Sequence, residues 1–110
     1  ARAETPKEIA EIEATHWQMG FESAVLVTNP PPEADALPPE AVEGAIQQAR
    51  VEARERGIHG QGLTPFLLGR LAELTGGESL KANLALLLSN ARLAAQIAVT
   101  LNLIEKQKAT

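Results

Sequence analysis

The sequence from Leu63 to Ala98 reads LTPFLLGRLAELTGGESLKANLALLLSNARLAAQIA. Leucines recur in its first part at spacings of three and four, which is the period of a helix with one apolar face. Thr64 is the predicted N-cap of this helix and Pro65 its first residue. The pair Gly76-Gly77 is predicted to end it, because glycine takes up a left-handed backbone conformation without strain. The stretch therefore predicts two helices that meet at a glycine pair.

The second of these helices is predicted to begin near Glu78 and to stay largely apolar as far as Leu103. Apolar residues cover nearly its whole circumference, which is typical of a helix sandwiched between two layers. Asn83 and Asn90 interrupt it on nearly the same face, about 10.5 Å apart along the axis. A buried amide without a hydrogen-bond partner costs about 1–3 kcal/mol. Two interpretations follow: each amide bonds to neighbouring backbone, or one of them faces a polar ligand.

The part of the chain before this stretch alternates between helix and strand patterns. Thr5-Pro6-Lys7-Glu8 is a capping box with proline at the first helical position, and it predicts a helix that ends at Gly20. Residues 23–28, SAVLVT, have the valine-rich composition of a short strand buried on both faces, as in a parallel sheet. A further amphipathic helix is predicted from Glu40 to Arg56. We therefore predict an α/β fold: a mostly helical segment with about four helices and one buried strand, part of a larger α/β/α layered enzyme.

A proline-rich segment, Asn29-Pro30-Pro31-Pro32-Glu33, follows the predicted strand directly. Ligands of open α/β sheets collect beyond the carboxyl ends of the strands, so this segment is placed to line a site. The alternative is a plain connection from strand to helix, held extended by its prolines.

Composition excludes several classes of function. The chain has 110 residues, room for one domain, and its net charge of −4 argues against binding nucleic acid through phosphates. It has no cysteine, so it has neither disulfides nor thiolate metal sites, which fits a reducing compartment such as the cytoplasm. Its two histidines, His16 and His59, have no partners at metal-ligand spacing. Apolar runs shorter than about 18 residues predict no membrane span.

Several motifs occur together in one order along the chain: NPPPE at 29–33, TPFLL at 64–68, ELTGG at 73–77, SL at 79–80, Asn83, and NARLA at 90–94. With these motifs the chain resembles the C-terminal part of the pseudouridine-5'-phosphate glycosidase family, also called indigoidine synthase A-like. The resemblance covers nearly all of residues 1–110, which we assign to part of a single domain, and about the last third of the family's usual chain. One departure is Gly60-Gln61-Gly62, where many members carry a basic residue, so we predict no phosphate contact there.

The resemblance implies reversible cleavage of the C-glycosidic bond of pseudouridine 5'-phosphate to uracil and ribose 5-phosphate. A carbon–carbon bond is not broken by protonating a leaving oxygen, so the usual chemistry of two carboxylates is insufficient. The family holds the opened ribose as a Schiff base on a lysine, and this imine is the electron sink. A glutamate moves protons, and a divalent metal, typically manganese, lies near the phosphate. These groups belong to the part of the family that precedes this chain, so we expect no catalytic residue and no metal ligand here.

What the resemblance assigns to this chain is substrate binding. Asn83 corresponds to a family asparagine close to the ribosyl group, and an amide can donate to a hydroxyl or to the ring oxygen. Asn29 and Glu33 are weaker candidates for lining the same pocket. The implied partners are the small-molecule substrate, the upstream part of the same enzyme and copies of itself, commonly as a homotrimer.

A second hypothesis uses the apolar helix alone. Its two apolar faces also suit a non-catalytic helical module that pairs with a partner or with copies of itself. The isolated segment is expected to be inactive under either hypothesis.

Overall fold

The computed structural model describes residues 1–110, and every regular element in it is helical. The four α-helices are α1 (Pro6–Gln18), α2 (Pro39–Glu55), α3 (Leu63–Leu74) and α4 (Glu78–Lys108), with short 3₁₀ turns at Glu33–Asp35 and Gly60–Gly62. The chain divides into two compact units. Unit 1 comprises Ala1–Pro30 and Leu88–Thr110, and unit 2 comprises Pro31–Leu87.

The prediction of an α/β fold was wrong, because the predicted strand at residues 23–28 does not form. A strand requires a neighbouring strand to pair its backbone N–H and C=O groups. No other segment of this chain forms a strand that could supply that partner. The segment is irregular instead, and the side chain of Leu26 is 88% exposed.

The start of α1 follows local capping chemistry. The Thr5 side chain accepts a hydrogen bond from the Glu8 N–H at 3.2 Å, as predicted for the capping box. The reciprocal bond is displaced by one residue, because the Glu8 carboxylate accepts from the N–H of Glu4 at 2.6 Å. Thr64 is not a cap: α3 begins at Leu63, continuing the 3₁₀ turn before it, and Gly62 holds the cap position.

The helix ends were predicted more closely. Gly76 and Gly77 have φ of 60° and 88°, the left-handed values expected at the end of α3. The Gly76 N–H donates to the carbonyl of Glu73 and the Gly77 N–H to that of Ala72, at 3.1 and 2.7 Å. This is the Schellman arrangement, which satisfies carbonyls that the helix leaves without donors. The same pair of bonds ends α1 at Gly20 and α2 at Gly57.

In unit 2, α2 packs against α3, and an ion pair joins them. The guanidinium of Arg70 donates to both carboxylate oxygens of Glu52, at 2.6 and 3.0 Å, and to Glu73 at 2.8 Å. Ala49 and Ala53 on α2 are each only 1% exposed, so the face of α2 that carries them is closely covered. Unit 1 buries Ala10, Ala14 and Ile97.

The prediction that the last helix is buried was also wrong for this chain. Of α4, only Ile97 is buried, and five of its eight leucines are more than half exposed. The helix also runs five residues beyond its predicted end, to Lys108. It contains an 18-residue window whose length and composition would suffice to cross a membrane, contrary to the expectation of no such stretch. Scattered polar residues interrupt the apolar runs, but the mean hydropathy of the window stays as high as that of a membrane span.

Candidate functional site

Asn83 lies on α4 at the wall of a cavity within unit 2. The cavity has a volume of about 590 Å³. Helix α3 contributes Leu68 and Leu71 to its lining, and the segment before α2 contributes Leu37. These walls come together because α2 packs on α3 and the glycine pair turns the chain back into α4.

Only two polar side chains line this cavity, and they lie four residues apart on one face of α4. They are Ser79, which is half-buried, and Asn83, which is exposed. Serine hydroxyls and carboxamides both donate and accept hydrogen bonds, so the pair can bind hydroxyl groups in either direction. The sequence analysis did not select Ser79, although its spacing from Asn83 gives a signal, since residues i and i+4 share a helix face.

Asn29 lies in unit 1, where it is half-buried and fully engaged as a donor. Its Nδ2 donates to the side-chain oxygen of Asn90 at 3.0 Å and to the hydroxyl of Ser89 at 3.1 Å. The structure therefore brings Asn29 together with one of the two asparagines of the apolar helix. The side-chain oxygen of Asn90 accepts from another side chain, an arrangement that neither predicted interpretation contained.

Glu33 is exposed at the start of the 3₁₀ turn in unit 2 and is not among the residues that line the cavity. Its backbone carbonyl accepts from the Ala36 N–H at 3.3 Å. The carboxylate lies on a short turn that holds the chain between the prolines and α2. Its assignment as a substrate-binding residue stays a prediction, as do those of Asn83 and Asn29.

The strongest electrostatic interaction of unit 2 holds helices together. Arg70 is the centre of this interaction. The hydrogen bond that Arg70 donates to Glu52 is the main cause that lowers the pKa of the Glu52 carboxyl, and a hydrogen bond from Gln48 lowers it further. Hydrogen bonds to Glu52 and then Glu73 raise the pKa of Arg70 above its ordinary value. The guanidinium of Arg56 also lies over the ring of Phe66, 5.4 Å from its centroid. None of the charged residues among these lines the cavity.

Groups for metal binding or imine formation are not assembled. No three or more histidine, cysteine, aspartate or glutamate side chains lie close enough to hold a metal ion. All four lysines, Lys7, Lys81, Lys106 and Lys108, are exposed in this chain. The residues present thus do not fit a manganese site.

Comparisons with known proteins agree on one family. The family model described as indigoidine synthase A like protein matches residues 1–100. The pseudouridine-5'-phosphate glycosidase 2 of Rhizobium johnstonii is 54% identical over 98 residues, which are 89% of this chain and 32% of that protein. The pseudouridine-5'-phosphate glycosidase of Nocardioides sp. is 48% identical over 97 residues, 88% of this chain and 32% of that protein. The chain thus spans about a third of the length of these relatives.

A solved structure shares the fold. It is the prealnumycin C-glycosynthase AlnA in complex with ribulose 5-phosphate, with 34% sequence identity and a TM-score of 0.85. The match covers 97% of this chain and 35% of that chain. The arrangement of helices described above therefore also occurs as one part of a longer protein.

Proposed function

This chain belongs to the indigoidine synthase A like protein family, and from this we propose that it is part of a pseudouridine-5'-phosphate glycosidase. The proposed reaction is the reversible cleavage of the C-glycosidic bond of pseudouridine 5'-phosphate to uracil and ribose 5-phosphate. The observation that carries the proposal is the 54% identity to the Rhizobium johnstonii relative over 89% of this chain. The likeness to a C-glycosynthase bound to a sugar phosphate supports the same class of bond and substrate.

In this proposal the groups that break the bond lie in the rest of the enzyme, and this chain contributes to binding the substrate. Breaking a carbon–carbon bond needs an electron sink, and an imine on a lysine is such a sink. The family resemblance implies that the Schiff-base lysine lies in the rest of the enzyme, and we adopt that placement in the proposal. The proposed divalent metal, manganese, belongs there as well, because this chain has no cluster of metal-binding side chains.

The proposed contribution of this chain is an amide that binds the ribosyl group. Asn83 suits this role because it is exposed at the wall of a cavity and its carboxamide can donate one bond and accept another. Ser79 is placed to bind a second hydroxyl of the same ligand. Asn29 is less suited to contact substrate, since both N–H groups of its amide donate within the chain.

The test is a chimera in which this chain replaces the matching third of the Rhizobium johnstonii glycosidase. We expect it to release uracil from pseudouridine 5'-phosphate in the presence of Mn²⁺. Asn83→Ala should lower kcat/KM about ten- to a hundredfold, which corresponds to about 1.4–2.8 kcal/mol of lost stabilisation. The matched control is Asn102→Ala, an exposed asparagine on the same helix that does not line the cavity.

Two results would contradict the proposal. A folded chimera that releases no uracil would refute the glycosidase assignment. Equal losses for the two asparagine variants would remove Asn83 from the site. The alternative of a non-catalytic helical module is not favoured, because the matched relatives carry the names of enzymes.

A further inference from the structure

Unit 2 exposes four leucines on α3 and α4, and two of them line its cavity. Leu68 on α3 and Leu80, Leu84 and Leu87 on α4 are each between 53% and 56% exposed. Leu68 and Leu80 also line the cavity itself. The three on α4 are spaced i, i+4 and i+7, so they lie along one side of the helix. We call these four residues the leucine face.

The cavity beside the leucine face is unsuited to being filled by a sugar phosphate. A phosphate ester carries about two negative charges and needs cations or several hydrogen-bond donors. The lining contains no charged residue, and its two polar side chains lie together at one wall. A sugar phosphate bound at Asn83 would thus leave most of the apolar lining of this cavity without an apolar group in contact with it. Apolar side chains match the remainder.

The lengths of the related proteins indicate where those side chains come from. The matched relatives are about three times as long as this chain, and AlnA contains the same fold as 35% of its own chain. A stripe of exposed leucines that continues from the wall of an apolar cavity is typical of a protein–protein contact.

We propose that the leucine face and its cavity are the docking surface for the remaining two thirds of a family-length chain, which inserts apolar side chains into the cavity. The proposal rests on the proposed function for the identity of that partner. Asn83 lies at the cavity wall, so the same contact places its amide at the edge of the completed enzyme.

The experiment is to co-express this chain, as a separate polypeptide, with the Rhizobium johnstonii glycosidase lacking its matching third. Size-exclusion chromatography with light scattering then measures the stoichiometry, and titration measures the affinity. A 1:1 complex is expected. Leu68→Glu and Leu80→Glu should each weaken it at least tenfold, because they place a charge in the apolar contact. Val51→Glu is the matched control, since Val51 on α2 is 51% exposed but does not line the cavity.

Separate measurements keep misfolding from imitating the expected result. Far-ultraviolet circular dichroism of each variant alone must show unchanged helix content, and Leu80→Ala provides a milder change at the same position. The Rhizobium protein's own matching third, co-expressed in the same way, serves as the positive control. A 1:1 complex that is lost in the two leucine variants and kept in the Val51 variant supports the proposal.

Three results would overturn it. One is a complex with the native third but none with this chain. Another is a stable dimer of this chain that the partner does not displace, and the third is partition into phosphatidylcholine vesicles in place of complex formation. Uracil release is scored separately: a 1:1 complex that releases no uracil leaves the docking surface standing and refutes the glycosidase assignment.

Discussion

At the scale of single residues, the glycines at the helix ends are the clearest determinants of the fold. Gly77 has φ of 88°, and no atom lies within 4 Å of where a Cβ would be. Glycine is therefore favoured at this position for its backbone conformation alone. Gly44 lies inside α2 with equally open surroundings and without a positive φ. The two positions therefore differ in backbone conformation and not in the space around them.

Replacing these two glycines by alanine should change stability in opposite directions. Gly77→Ala should lower the free energy of unfolding by about 1–2 kcal/mol, because an L-residue is strained in the left-handed region. Gly44→Ala should raise it by about 0.5–1 kcal/mol, because glycine inside a helix costs conformational entropy. Urea unfolding followed by circular dichroism measures both. Losses of similar size at the two positions would refute the conformational explanation.

The asparagines show what single residues reveal in the sequence and what they do not. The sequence indicated that an amide in an apolar helix needs partners, and Asn90 has one. The identity of that partner was not predictable, since Asn29 is 61 positions away and no local pattern links the two. Asn83 was selected by a family motif, and its position at a cavity wall is a separate structural finding.

At the scale of elements, helices were predictable because their signals are local. Capping residues, prolines and glycines within one turn fixed the ends of α1, α2 and α3 to within a residue or two. The absence of a strand at residues 23–28 was not predictable in this way. Valine content indicates that a segment suits a sheet, but it does not show whether a neighbouring strand is present to pair with it. The same holds for α4, whose apolar surface predicted burial that no other element of this chain provides.

The contact between α2 and α3 should depend on pH through Glu52. The hydrogen bond from Arg70 is the main cause that lowers the folded-state pKa of Glu52 below the ordinary value of 4.5. A carboxyl with a depressed pKa stabilises the folded state above its unfolded pKa and loses that contribution as the pH falls through the folded value. Stability from this pair should therefore be complete above about pH 5 and decline below about pH 4.5.

Glu52→Gln tests this assignment. The variant should have a lower thermal midpoint than the unmodified chain at pH 7, and the difference between the two should shrink as the pH is lowered toward 3. Glu73→Gln is the control, because Glu73 bonds the same guanidinium while its side chain is 70% exposed, so solvent screening should make its effect smaller. Thermal melts at a series of pH values provide the measurement. A gap between Glu52→Gln and the unmodified chain that stays constant with pH would rule out the ion pair as its cause.

At the scale of the whole molecule, the chain exposes more surface than its mass requires. Its accessible area is 8278 Å² for a mass of 11.7 kDa. Folded monomers of that mass expose about 5,900 Å². The buried apolar residues are few and mostly small: Ala10, Ala14, Ala49, Ala53 and Ile97. Both observations indicate that the chain itself leaves a large apolar surface uncovered.

The small area that this chain buries should make its unfolding less cooperative. The denaturant dependence of the unfolding free energy, the m-value, is proportional to the surface that unfolding exposes, and it is about 1–3 kcal/mol/M in urea for small proteins. Because this chain buries little surface, the m-value of the isolated chain should lie at or below about 1 kcal/mol/M. In the chimera with the first two thirds of the Rhizobium johnstonii glycosidase, the same residues should unfold in a steeper transition at higher urea. Circular dichroism follows the chain alone, and hydrogen exchange of α3 and α4 peptides follows it within the chimera. A steep, single transition of the chain alone would mean that it closes its own core in solution, and the leucine face would then need no partner.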